Sequence, residues 1–192
     1  MDYHKKDVHL RMLKSIGLNI EILFNNKDYD ICEYDIQAIM SKFLKSALLN
    51  TDNKVHRESF GKYDCAISNN KNEPVILYEI KTFLKPHEKL SNNNSLEEIL
   101  KDFKKLAMPK MKTIGARRYF VLIFKEKEFK LIENDANFDW LSNRLISNRK
   151  EHKYIKDNYK LRPSSKYQIS NICVYSWEVT NIDNLKNRRI SK

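Results

Sequence analysis

The chain has 192 residues, a formal net charge of +11 and only three glycines, Gly17, Gly61 and Gly115. That length suits one well-buried domain, and three isolated glycines cannot build a Gly-rich phosphate loop or a dinucleotide fingerprint, so kinase, NTPase and Rossmann classes fall away. The charge is lopsided, +1 over residues 1–96 (14 basic, 13 acidic) against +10 over 97–192 (22 basic, 12 acidic), which points to a polyanionic partner, most simply nucleic acid.

The start of the chain has no signal-peptide pattern and no apolar run approaches the ~18 residues of a membrane span, so the expectation is a soluble, cytoplasmic protein. Cys32, Cys65 and Cys173 are widely spaced and read as reduced core residues, and the five histidines lack metal-ligand spacing. Val8, Met12, Leu13 and Ile16 recur at helical spacing, after which residues 19–24 read as a short strand. Asp30 predicts an N-cap, with Glu33 at the capping-box position, for a helix running to about Leu49. Its apolar stripe is Ile36, Met40, Phe43, Leu44, Ala47 and Leu48, and Glu33 lies on the same face. That carboxylate either caps its own helix or points into a site.

Val55–Ser59 is a short candidate strand containing Glu58, followed by strands at Tyr63–Ser68 and Glu73–Phe83 around the turn Asn69–Asn72. Leu84–Asn94, with Lys85, reads as a polar loop able to contact substrate. Ser95 and Glu98 predict a capping box for a second helix with Leu96, Leu100, Phe103, Leu106 and Ala107 inward, Lys101, Lys104 and Lys105 on the polar side, and Pro109 as its stop. Residues 117–124 are continuously apolar after two arginines, as a buried parallel strand requires. Residues 138–146 suggest a short amphipathic helix. The basic run from Arg144 to Lys166 places Arg149, Lys150, Lys153, Lys156 and Lys160 among Tyr154 and Tyr159, which suits phosphate contact with base stacking or simply a solvated loop. Residues 168–179 read as one or two late strands, and about 187–192 as a basic tail. The domain expectation is one unit over 1–192, with a core at about 30–125 and a basic elaboration at about 126–192.

The chemistry is concentrated in the two central strands. Period two places Val75, Leu77, Glu79 and Lys81 on one face of the second and Ile76, Tyr78 and Ile80 on the other. Asp64 shares a face with Ala66 and Ser68 on the first strand, and hairpin pairing brings it towards Glu79, fourteen intervening residues away. Strands apolar on both faces are covered, and charges there are costly unless paired or bound to a metal. Two carboxylates converging on a divalent cation, with an ammonium beside them, answer that cost.

Asp64, the Glu79-Ile80-Lys81 triplet and the order helix, strand, strand, strand, helix, strand from 30 to 125 resemble the PD-(D/E)xK nuclease superfamily, which includes many restriction endonucleases. Tyr63 stands where that family often has Pro. The resemblance covers about half of the chain and implies an α/β (α+β) fold with a restriction-endonuclease-like αβββαβ core, a mixed central sheet flanked by helices. It implies Mg²⁺, with Mn²⁺ as substitute, held by Asp64, Glu79 and the carbonyl of Ile80, and Lys81 orienting the hydrolytic water. Glu33, or its rival Glu58, becomes the auxiliary carboxylate. The implied activity is an endonuclease cutting DNA in restriction or phage defence, with duplex cutting by a homodimer and any accessory or methyltransferase partner left open. The alternatives are a non-catalytic or partner-dependent nucleic-acid-binding module and an RNA-directed nuclease.

Overall fold

The computed structural model describes residues 6–24, 31–60, 62–85, 93–107, 115–125 and 159–181. In chain order these form α1 (Lys6–Phe24), α2 (Glu33–Ala47), β1 (Lys54–Ser59), β2 (Tyr63–Ser68), β3 (Pro74–Phe83), α3 (Asn93–Ala107), β4 (Arg117–Lys125), β5 (Tyr159–Ile169) and β6 (Ile172–Asn181). The strands make one mixed six-stranded sheet in the order β1-β2-β3-β4-β6-β5.

The apolar run of β4 explains its place. Arg118 to Phe124 are all buried, so both faces of this strand are covered. It pairs in parallel with β3, from Ile76 opposite Arg117 to Phe83 opposite Phe124, and α3 lies on the connection between them. Every other pairing is antiparallel. The expected mixed sheet with helices on it is therefore present, and β5 and β6 extend that sheet.

Alternation sorts the side chains into two layers. Cys65, Ile67, Ile76, Tyr78 and Ile80, with Tyr119, Val121 and Ile123, face α1 and α2, which contribute Met12, Leu13, Ile16, Ile20, Ile36, Met40 and Leu44. Ala66, Leu77, Phe120, Leu122 and Phe124 face α3, with Ile99, Leu100, Phe103 and Leu106, and the same layer continues into Tyr175 and Trp177 of β6. Each fully buried Leu, Ile or Phe contributes about 1.5–3 kcal/mol, so both layers are strongly stabilising.

Several expectations change. Residues 19–24 continue α1 and are not a strand: a strand would put Ile20 and Ile22 on one face, yet Ile20 is 0 % exposed and Ile22 68 %. Ile16, Ile20 and Leu23 instead keep the helical phase against the core. Gly17 marks the close approach of α1 to β5, because a Cβ there would come within 3.0 Å of the Tyr167 ring. Helix α2 begins at Glu33, its N-cap is Cys32, and its capping box is closed by Asp35, whose Oδ2 accepts from the Cys32 N–H at 2.9 Å. Asp30 lies outside the described residues, Glu33 does not cap, and Cys32 is exposed at a helix end, unlike the buried Cys65 and Cys173. Helix α3 starts at Asn93, so Ser95 lies within it. Residues 159–169 are strand and not loop. The segments 86–92, 108–114, 126–158 and 182–192, with Pro109, the helix expected at 138–146 and the basic tail, lie outside the described residues. Among the described residues no helix is long and apolar enough to cross a membrane.

Candidate active site

The site forms where β2 begins and β3 ends. Cys65 pairs with Tyr78 and Ala66 with Leu77, and one more step of that antiparallel register sets Asp64 beside Glu79. The Asp64 carboxylate is held at both oxygens. Oδ2 accepts from the backbone N–H of Ile80 at 2.7 Å, and Oδ1 accepts from Nε2 of Gln37 at 3.1 Å. A side chain on β2 is thereby pinned to the middle of the Glu79-Ile80-Lys81 triplet.

Glu79 projects from the α3 face of β3 and is only 1 % exposed. The Lys105 ammonium meets its Oε1 at 2.5 Å. Lys81, two residues further along the same face, has its Nζ 3.0 Å from Glu98 Oε2 and 3.7 Å from Glu33 Oε2. One lysine thus joins the start of α2, the end of β3 and α3.

Burial and crowding of like charges dominate the electrostatics. Burial pushes Glu79 up to about 9, with Asp64 adding to the rise and Lys105 opposing it. Burial likewise raises Glu33 to about 7 against the pull of Lys81, and Asp102 of α3 to about 6, with Lys81 lowering and Asp64 raising it. Asp64 is raised too, again by burial, although the Ile80 N–H and the two lysines favour its charged form. Burial works against the Lys81 ammonium, but Glu33, Glu98 and Asp102 outweigh it and hold the pKa above its ordinary value. Carboxyl groups held this close in a dry site, with their ionised forms disfavoured, favour an added cation.

The chain approaches Asp64 through a tense turn. Glu58, Phe60 and Lys62 all have positive φ, at 48°, 53° and 70°, a backbone region costly for residues with a Cβ. The Lys62 carbonyl accepts a hydrogen bond from Lys105.

Asp64, Glu79 and Lys81 thus lie together, and Glu33, open in the sequence between cap and site, joins them through Lys81. Glu58 is exposed and its charge raises the pKa of Asp64, whereas Glu33 pairs with Lys81. Ile80 enters through its N–H. Among the described residues, no three His, Cys, Asp or Glu side chains form a ready-made metal site. Lys85 lies just beyond the end of β3, half-buried. Lys160 lies on β5 at the far edge of the sheet, with β4 and β6 between it and β3, so its strand runs about 14 Å from the triplet. Arg149, Lys150, Lys153 and Lys156 lie outside the described residues.

Four site residues were missed in the sequence: Gln37, Glu98, Asp102 and Lys105. Spacing carried a signal for each. Gln37 follows Glu33 by one helical turn, and Glu98, Asp102 and Lys105 recur at i, i+4 and i+7 on one face of α3. No family model matches the chain, and no curated protein or solved structure matches it.

Proposed function

We propose that the protein is a Mg²⁺-dependent endonuclease that hydrolyses phosphodiester bonds in DNA, built on a restriction-endonuclease-like core and serving restriction or phage defence. The observation that carries this reading is the pinning of Asp64 to the Ile80 N–H, which sets two carboxylates and a lysine at the end of one buried strand pair. The order α2-β1-β2-β3-α3-β4, with β3 and β4 parallel, agrees with such a core.

The donor set fits a hard divalent ion. Asp64 and Glu79 offer oxygen ligands; burial raises the pKa of both and Asp64 adds to the rise at Glu79, an imbalance that a cation relieves. With Mg²⁺ or Mn²⁺ bound, the ion supplies Lewis-acid stabilisation of the scissile phosphate and a water of lowered pKa. Gln37 and the Ile80 N–H fix the Asp64 carboxylate so that its orientation needs no reorganisation when substrate arrives. Lys81 remains charged and donates towards the water and the developing phosphorane charge. Glu33 and Glu98 hold that ammonium in place, with Glu33 as the auxiliary carboxylate.

The deciding assay incubates purified protein with plasmid, linear duplex, single-stranded DNA and RNA, with Mg²⁺, Mn²⁺ or EDTA, beside Asp64→Asn and Lys81→Ala. Metal-dependent cutting of DNA that falls at least about 100-fold in both variants is the expected result. Cutting that survives either substitution removes the site assignment. Salt-sensitive DNA binding without cutting replaces the enzyme with a binding module, and cutting of RNA alone changes the substrate.

A further inference from the structure

Lys105 is the lysine for which the proposed chemistry has no use so far. It lies in the last turn of α3, on the face shared by Glu98 and Asp102. Its ammonium is 2.5 Å from Glu79 Oε1, donates to the Lys62 carbonyl, and lies 5.0 Å from the centre of the Tyr63 ring. Three independent partners, from β3, the strained β1–β2 turn and β2, therefore fix one positive charge.

Glu79 is 1 % exposed, and to stay ionised a carboxylate so buried needs a cation against it. Lys81 does not fill that need, because Glu33 and Glu98 engage it. Lys105 does. Two-metal phosphodiesterases place their ions about 3.5–4 Å apart and need enough carboxylates to hold both. Here one oxygen of Glu79 already faces an ammonium.

Building on the nuclease reading, we propose that Lys105 occupies at Glu79 the place that a second divalent ion would take, so the site works with one metal ion and one resident ammonium. Asp64 and the remaining oxygen of Glu79 would hold that one metal ion. The ammonium completes the charge on the α3 side, where a phosphate approaching the metal meets it as well.

The test is calorimetric titration of Mn²⁺ into the full chain without DNA, comparing the unmodified protein with Lys105→Met and Lys105→Arg. The unmodified protein and Lys105→Arg are expected to bind one Mn²⁺ per chain with similar affinity. Removing a fixed positive charge a few ångströms from the ion is expected to make Lys105→Met bind Mn²⁺ at least about tenfold tighter, or to admit a second ion. Lys105→Gln takes its place if the Met variant fails to fold. Two Mn²⁺ in the unmodified protein, or one Mn²⁺ bound with unchanged or weaker affinity in the neutral variants, overturns the role of Lys105 and leaves the nuclease reading standing. Absence of Mn²⁺ binding in all the proteins, together with absence of cleavage, overturns both.

Discussion

The two faces of β3 are built to different rules. Towards α1 and α2 the strand stays apolar to its end, with Ile76, Tyr78 and Ile80 all buried. Towards α3 it begins the same way with Leu77 and then turns to Glu79 and Lys81. The change coincides with the arrival of counter-charges from two helices, Glu33 from α2 and Glu98 and Lys105 from α3. One backbone carries both sets, so the stability of the sheet and the chemistry at its end are assigned to opposite sides of a single strand. Substitutions on the two sides should separate accordingly.

The largest expected effect is on the apolar side. Ile76 is 1 % exposed and stands away from the charged end, so Ile76→Ala should cost about 2–5 kcal/mol in urea unfolding and leave metal-dependent cleavage per folded molecule unchanged. Glu79→Gln, three residues along on the other face, should do the reverse. Burial already pushes Glu79 up to about 9 and favours its neutral form, which Gln resembles in shape, so stability should stay within about 1 kcal/mol or rise, while cleavage falls at least about 100-fold. A loss of stability in Glu79→Gln as large as that in Ile76→Ala would show that the carboxylate is a structural member of the core.

Helix α2 sharpens the same contrast within one turn. Gln37 is 5 % exposed, donates to Asp64, and leaves its buried Oε1 without a hydrogen-bond partner. An unsatisfied buried acceptor is a cost that a fold built for stability alone would avoid. Gln37→Leu should therefore lower cleavage about tenfold while leaving the unfolding midpoint level or higher. Asp35, two residues earlier, closes the capping box with Cys32. Asp35→Ala should cost about 1 kcal/mol and spare cleavage, and a large loss of cleavage would mean that the box is needed to position Glu33 and Gln37 at the site.

How far the chain could be read in advance followed from the range of the interactions. Period two in β3 and the apolar run of β4 are local patterns, and they were sufficient to place Glu79 and Lys81 on one face and to expect a parallel neighbour. The approach of Asp64 to Glu79 needed only a hairpin register, which the turn at Asn69–Asn72 supplies. Residues 19–24 misled because Asn19 to Phe24 is rich enough in Ile, Leu and Phe to fit either period, and only packing against β5 and β6 shows which face is buried. The start of α2 misled because Cys is not among the preferred N-cap residues, whereas Asp30 and Glu33 have the preferred types at the preferred spacing. Lys105 was unreadable for a further reason. Its partner Glu79 is 26 residues earlier, and which of the lysines on α3 reaches it depends on how the crossover lays that helix over β3.

The smallest predicted effect tests whether charge away from the site follows the same physics. His56 of β1 lies on the edge strand, its Nε2 2.8 Å from Ser68 Oγ and its ring edge-on to Phe60 at 5.2 Å. Burial, followed by the positive charges of Lys54 and Lys45, lowers its pKa below the ordinary 6.5. The sign follows directly: the unfolded chain takes up a proton near 6.5 while the folded chain resists it, so His56 contributes stability above that pH and the contribution is lost as pH falls through the lower folded value. Because the ring is partly exposed, solvent screens the effect, and between pH 8 and pH 5 His56→Gln should reduce the acid-induced fall in the unfolding midpoint by no more than about 2 °C. A fall in midpoint that is identical in the two proteins would mean that the imidazole titrates freely, and that Lys45 and Lys54 turn away from it in solution.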